Sequence, residues 1–465
     1  MANESELAPL QRWIAATGAL AEVASDKIDP VGVREGEYGA EDRSIVALAA
    51  VEAGEVLVTL RPGAFLSGST WLARVDDKTL EQTVKTAQLS ATALTALALL
   101  YEAGAGKASS FAGYIEQLPR YIPLPLSWSK ESRELLKHTT SSPLIDAELV
   151  ENVYRCHIAP LAETFPLAWP EQVTSFDKFR WAYSVVSSRL VALLHDGCTV
   201  VAVISDVVLL LCTQSAFTIG EGHEPTLLPV IDMANHDVDS PAAHIVKTDG
   251  GEFQLVADRD IAVSEGVTIS YGELSNAQLL CRYGFVLPTA TPSDSILITS
   301  AELSSTYKAY LHSATVADDD DEADDDNDDD DDEVVEAAGS GKSAKRRKVF
   351  DTRPEAATDD ALFFLLHGDP TREFGLGDAL LSYVLAAQLP PDELYEVLTI
   401  LLRKRDKQYC DTLAAAEAHG DEIAAAAVTR LCQHERHVCR RILLGLVTLE
   451  EESSSEEEDQ DVDDE

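Results

Sequence analysis

Three short segments hold the residues whose types and spacing could do chemistry. One is Thr268-Ile269-Ser270-Tyr271-Gly272, followed by Glu273-Leu274-Ser275-Asn276-Ala277-Gln278-Leu279-Leu280 and then by Tyr283-Gly284-Phe285. Another is Leu228-Pro229-Val230-Ile231-Asp232-Met233-Ala234-Asn235-His236-Asp237, an apolar run ending in Asp-x-x-Asn-His. The last is Trp181-Ala182-Tyr183-Ser184-Val185-Val186-Ser187-Ser188-Arg189. A positioned phenol such as Tyr271 can hold an amine in place. Aromatic walls favour an alkyl stem and a cationic centre. Read singly, each residue also has a plain structural account. Tyr271 is a strand-end tyrosine before a glycine that lets the backbone turn. Asn235 and His236 can cap a turn, and Arg189 can form a salt bridge on a helix surface.

The elements that must position these residues follow from periodicity. Leu7, Leu10, Trp13 and Ile14 have a helical period. Ile45-Val46-Ala47 and Val56-Leu57-Val58-Thr59-Leu60 read as strands, with a turn at Ala53-Gly54-Glu55. From about Thr79 to Ala216 the pattern is mostly helical, and strands return at Leu227 to Met233, Phe253 to Ala257 and Val267 to Tyr271. Ser275 is an N-cap for the helix carrying Ala277, Leu279 and Leu280. Strands, helices, then strands again predict one β-rich domain interrupted by helices rather than βαβ units. After Ile298 the character changes. Leu394, Val397, Leu398 and Leu401 fall at i, i+3, i+4 and i+7, and Ala427, Leu431, Val438 and Ile442 keep a similar period. Pro390-Pro391-Asp392 and Gly420-Asp421 mark helix starts, so the C-terminal region is expected to be all helical.

Taken together, the segments resemble the signature of SET-domain methyltransferases, in the branch of Rubisco large-subunit methyltransferase and the ribosomal-protein lysine methyltransferases. The resemblance is strongest from Leu228 to Pro288 and extends to Trp181–Arg189 and Ser44–Leu60. It implies an α+β fold: a SET β-fold with a pseudoknot, split by a helical insert and followed by a helical substrate-binding domain. The boundaries expected are a SET domain over 1–300 with its insert at about 75–220, and a disordered acidic and basic insert over 301–358. The helical domain is expected over 359–449 and an acidic disordered tail over 450–465. The resemblance further implies S-adenosylmethionine as cofactor, Tyr271 as catalytic residue, and Tyr283, Phe285 and Val191 along the substrate channel. It makes Asn235, His236, Arg189, Ser188, Asp232, Asp42, Arg43 and Ser44 the cofactor-binding residues. In the stretch Glu41-Asp42-Arg43-Ser44-Ile45-Val46-Ala47 the chain departs from the pattern. Relatives commonly carry Gly-x-Gly there, which admits a ligand closer to the backbone than Asp42 and Ser44 do.

The formal net charge of -45 is unevenly placed. Asp318 to Glu333 and Glu450 to Glu465 together hold 25 acidic residues, leaving about -20 on the rest. Such runs repel themselves and bury little apolar surface, so they are expected to be solvated, or to recruit basic partners such as nuclear or ribosomal proteins. Direct DNA binding is disfavoured, because phosphates would be repelled. Lys345-Arg346-Arg347-Lys348 reads as a nuclear localisation signal, with nucleus and in part cytoplasm as the expected compartments; its alternative is counter-charge to the acidic run. No signal peptide or membrane-spanning run is visible, and a soluble monomer is expected. Seven scattered cysteines without a CxxC pair point to a reducing compartment. Cys432, His434, His437 and Cys439 do not match a common zinc spacing; two buried thiols on one helix face is the reading taken, with no metal.

These features favour a protein-lysine N-methyltransferase acting on a non-histone protein. One alternative is a protein-histidine methyltransferase. The histidine-modifying member of the branch carries Asn two positions after the helix Arg, where this chain has Val191, which cannot hydrogen-bond an imidazole. The other alternative is a catalytically degenerate SET fold serving as an acidic interaction module.

Overall fold

The computed structural model describes residues 9–34, 42–189, 224–320, 363–367, 380, 383–384 and 390–460. Val191 and the basic cluster Lys345-Arg346-Arg347-Lys348 lie outside these residues, as does the acidic run beyond Asp320.

The main sheet is built from strands distant in sequence. Its members are β1 (Ala21–Val23), β2 (Ile28–Arg34), β3 (Asp42–Ala47), β4 (Val56–Leu60), β7 (Asn235–His236), β8 (Ala243–Lys247), β9 (Phe253–Ala257) and β10 (Gly266–Ile269). The order is β1-β4-β9-β8-β10-β3-β2, with β7 also on β10. The β4/β9 and β8/β9 pairs are antiparallel, and β9 alternates buried and half-buried residues, as a strand with one face in the core must. A separate small pair joins β5 (Leu66–Ser67) to β6 (Thr226–Leu227) across the helical insert. Helices from Gly68–Leu72 to Phe176–Ser187 form that insert. Ala91–Ala105 is its most buried member; its Ala/Leu composition leaves no polar stripe, as suits a helix enclosed on several sides.

The run from Leu227 to Met233 is not the strand that its apolar character predicts. Only Thr226–Leu227 pairs, and Ile231–Met233 is a 3-10 turn. Pro229 offers no N–H to a ladder, and Val230 has a positive φ of 72°. The chain then re-enters the sheet at β7.

The second core is helical. Ser300–Asp320, Pro391–Glu417 and Glu422–Gln460 pack together, burying Leu394, Val397, Leu398, Leu401, Leu431, Val438 and Ile442. The stretch expected to be disordered from 301 therefore begins as a helix. Leu303 and Tyr307, one turn apart, are buried in this core, and Tyr307 donates to Glu393 at 2.6 Å. The acidic stretch from 450 is helical as far as Gln460, because glutamate is a good helix former extending an anchored helix. The helical region is also entered through a strand, β12 (Phe363–His367), paired antiparallel with β11 (Ser295–Thr299). Cys432 and Cys439 are both buried on one face of the last helix, and His434 instead approaches the Leu287 carbonyl at 3.0 Å.

Candidate active site

The two motifs meet as neighbouring strands. β7 lies parallel to β10, with Asn235 beside Thr268 and His236 beside Ile269. The Asp237 N–H donates to the Ile269 carbonyl at 3.1 Å. This pairing brings the Asn-His end of one segment against the Tyr-Gly end of the other, although they are about thirty residues apart.

Tyr271 sits where β10 ends and folds back over β7. Its hydroxyl donates to the Ala234 carbonyl at 2.8 Å, and its backbone N–H donates to His236 Nδ1 at 3.0 Å. Since Nδ1 accepts, the neutral imidazole carries its proton on Nε2. The longer 3.4 Å approach of Nδ1 to the Ile269 carbonyl is then a close contact between two acceptors. Burial lowers the His236 pKa, which fits the neutral ring.

Four rings cluster here. Tyr271 stacks on His236 with centroids 4.9 Å apart and on Tyr283 at 4.4 Å. Phe285 leans against both His236 and Tyr283, each at 6.3 Å. Burial pushes the Tyr283 phenol up to about 12, so it stays protonated.

The helix Asn276–Tyr283 aims Tyr283 and Phe285. Ser275 and Gln278 form a reciprocal capping box at its start. Gly284 ends it in the left-handed region at φ 85°, packed against Pro123, so the chain reverses into Phe285. Asn276, fully buried, ties the turn down. Its side-chain amide donates to Thr289 O and Asp294, and its oxygen accepts from Leu287 N at 2.7 Å. The Asn of the Ser-Asn pair is thus a scaffold residue.

Beneath β7 lies a buried ion pair. Arg189 stands just past the end of the helix Phe176–Ser187, with Nε 3.5 Å from Asp232 Oδ2. Arg189 also donates to Ser188 Oγ at 3.2 Å, and Ser188 itself donates to Val185 O. Tyr114, which nothing in its local sequence distinguishes, donates its hydroxyl to the same Asp232 oxygen. Burial raises Asp232 to about 6 although Arg189 opposes the shift. Val230, two residues earlier, holds a conformation that costs a β-branched residue about 1–3 kcal/mol, the kind of local strain that clusters at ligand sites.

Of the residues in the departing N-terminal stretch, Asp42 and Arg43 are strand backbone in β3, and their side chains lie outside the described residues. Ser44 is buried, and β3 touches the Ile231–Met233 turn. Four buried polar atoms in this region lack a hydrogen-bond partner among the described residues: Ser44 Oγ, Arg189 Nε, Asp232 Oδ1 and His236 Nε2. Among the described residues there is no group of three or more metal-ligating side chains, and no helix is long and apolar enough to cross a membrane.

The fold is that of the SET domain of the Rubisco large-subunit methyltransferase. The chain superposes on that domain bound to lysine and AdoHcy with a TM-score of 0.58 at 15% identity, covering 95% of this chain and 91% of that one. Against Rubisco LSMT bound to AdoMet the TM-score is 0.57 at 14% identity, over 97% and 93%. In sequence it is similar to ribosomal lysine N-methyltransferase set10 of Schizosaccharomyces pombe, 25% identical over 43% of this chain and 32% of that one. It is similar also to N-lysine methyltransferase setd6 of Danio rerio, 24% identical over 66% and 63%. The matched segments thus span about a third and just under two thirds of those relatives' lengths. No family model matches the chain.

Proposed function

We infer that this chain, which carries the SET fold and the paired motifs of the Rubisco large-subunit methyltransferase branch, is an S-adenosylmethionine-dependent protein-lysine N-methyltransferase. The observation that carries the reading is the β7/β10 pairing, which gathers Tyr271, His236 and Asn235 into one site with an aromatic wall.

The residues present fit the cofactor. It is polar and zwitterionic, and the four buried atoms without partners offer it donors from Arg189 and His236 Nε2 and acceptors from Asp232 and Ser44. Asn235, Arg189, Ser188, Asp232, His236 and the β3 residues Asp42, Arg43 and Ser44 would hold it. When bound it supplies an electrophilic methyl group on a sulfonium. Tyr271 then has one defined task. Its only hydroxyl proton is given to Ala234, so toward an incoming amine it can only accept, which orients the N–H bonds. Tyr283 and Phe285 line the approach, favouring the alkyl stem and a cationic head by about 0.5–2 kcal/mol. Removal of the amine from water works in the opposite sense, lowering its pKa and helping it lose its proton.

Lysine is the favoured acceptor over histidine because Val191 offers an imidazole no hydrogen bond. The substrate proposed is a basic, non-histone protein of nuclear or ribosomal type, met by a monomeric enzyme that does not bind DNA directly. Nuclear import, with part of the protein in the cytoplasm, is proposed from Lys345-Arg346-Arg347-Lys348. Replacing those four residues with Ala should shift a tagged protein toward the cytoplasm; an unchanged distribution leaves the cluster as charge balance.

Radiolabelled methyl transfer into a lysate, followed by peptide mapping, tests the activity. Label on lysine is expected. Label on histidine would move the assignment to the histidine reading. A purified chain that fails to bind S-adenosylmethionine would favour the interaction module.

A further inference from the structure

The geometry points to Tyr114 as a positioning residue for the cofactor site, acting through the Asp232 carboxylate. Tyr114 is fully buried in the short helix Ala112–Gln117, remote in sequence from either motif. Its hydroxyl donates to Asp232 Oδ2, the same oxygen that Arg189 Nε approaches at 3.5 Å. At that distance and alignment Arg189 makes an ion pair with Asp232 but no hydrogen bond. Tyr114 is therefore the side chain that fixes the carboxylate's rotation. It holds Oδ2 toward Arg189 and leaves Oδ1, buried and without a partner, facing away. The helix bearing Tyr114 is itself anchored: Gly113 packs so closely on Pro9 and Trp13 that a side chain there would clash.

The electrostatics give this contact a second consequence. The groups facing Asp232 are Tyr114 from the helix Ala112–Gln117 and Arg189 from the end of the helix Phe176–Ser187. Burial pushes Asp232 up, while Arg189, the Tyr114 hydrogen bond and a hydrogen bond from its own backbone pull it down; the balance lies at about 6. Burial raises the Tyr114 phenol well above its ordinary range, so it remains a donor around neutrality. Asp232 is thereby kept ionised near neutrality and retains Arg189 as its counter-charge. Without the phenol, the carboxyl would take up its proton at a higher pH and release the guanidinium.

This inference rests on the reading of the site as one for S-adenosylmethionine. Its test is the pH dependence of S-adenosylhomocysteine affinity, measured by calorimetry on the full chain and on Tyr114→Phe. Wild-type affinity is expected to fall as pH drops through about 6. In Tyr114→Phe the midpoint should rise by about one to two units, the worth of one hydrogen bond to a charged group. The variant should then bind roughly 2- to 10-fold more weakly near neutrality and match wild type about two units higher. A role in packing alone would weaken binding equally at every pH, and that outcome overturns the inference, as does no weakening at all. 3-Fluorotyrosine at position 114 keeps ring and hydroxyl but is the stronger donor, so its midpoint should move down. If Tyr114→Phe does not fold, an unshifted midpoint in the fluorinated protein overturns the inference by itself. Wild type that binds no S-adenosylhomocysteine at any pH overturns the methyltransferase reading and this inference together. Wild-type binding with coincident midpoints overturns this inference alone.

Discussion

Tyr271 spends its single hydroxyl proton on the Ala234 carbonyl and stacks its ring between the same two motifs that position it. Tyr271→Phe removes one oxygen and keeps both stacking contacts, so folding should survive. Cofactor affinity should stay within about twofold, while turnover on the mapped substrate falls by about 10²–10⁴, the range for a lost positioned group. Asn235→Ala should do the reverse, weakening cofactor binding more than turnover at saturation. Full activity in Tyr271→Phe would move the catalytic assignment to Tyr283. At this scale the sequence was informative where chemistry and adjacency coincide. Tyr271, Tyr283 and Phe285 lie within fifteen residues, and Asn235 and His236 are adjacent, three residues after Asp232, so they read as one motif. Tyr114 and Val230 gave no such signal. A lone tyrosine in a helical insert has many ordinary roles, and backbone strain leaves no mark in residue type.

At the scale of elements, one piece of scaffold holds the aromatic wall and a second joins the insert to the C-terminal helices. The N-cap role of Ser275 was readable from the sequence; the reciprocal bond from Gln278 that completes a capping box emerged only in the fold. The role of Asn276 was not, since it depends on Asp294 and Leu287, which only the fold brings near. Asn276→Ala would strand the Leu287 N–H in a buried turn. It should lower stability by about 2–4 kcal/mol and disturb Phe285, read as a lower Tm together with a raised KM for substrate. The second piece is the junction between the insert and the C-terminal helices. Glu435, buried, accepts from Thr140 N and from Tyr409 Oη, each at 2.8 Å. Burial raises its carboxyl to about 8 from an ordinary 4.5. A group raised on folding stabilises fully below its unfolded pKa and loses that contribution as pH climbs through its folded one. Stability should therefore fall between about pH 4.5 and 8 by an amount on the order of a few kcal/mol. Glu435→Gln, which keeps shape and one acceptor, should flatten this slope and exceed wild type in Tm above pH 8. A slope identical in the two proteins would assign the pH dependence elsewhere. The strand expected over 227–233 failed for a local reason, since an apolar run does not distinguish a strand from a tight buried turn once a proline interrupts it.

Over the whole molecule the decisive quantity is charge. The order strand, helix, strand was visible because period 2 and period 3.6 differ sharply, and the helical C-terminus because its apolar spacing is regular. The lengths of its helices were less visible. Ser300–Asp320 and Glu422–Gln460 both run into acidic sequence, where composition alone predicts solvated coil; in the second, glutamate sustains a helix once packing has nucleated it. What that charge does is a kinetic matter. A chain at -45 would attract a basic substrate over distances of about a Debye length, roughly 10 Å at 0.1 M salt, and that attraction would speed encounter without altering the chemistry proposed for Tyr271. The value of kcat/KM for a basic protein substrate should therefore drop as salt rises from about 50 to about 300 mM, with kcat nearly constant. Replacing the aspartates and glutamates of 318–333 with Asn and Gln should reduce that salt slope and lower kcat/KM at low salt, leaving kcat in place. A neutral peptide carrying the same methylated lysine should show little slope with either protein. If the neutralised variant keeps the wild-type slope on the basic substrate, attraction resides in the folded body, and the run 318–333 contributes solvation alone.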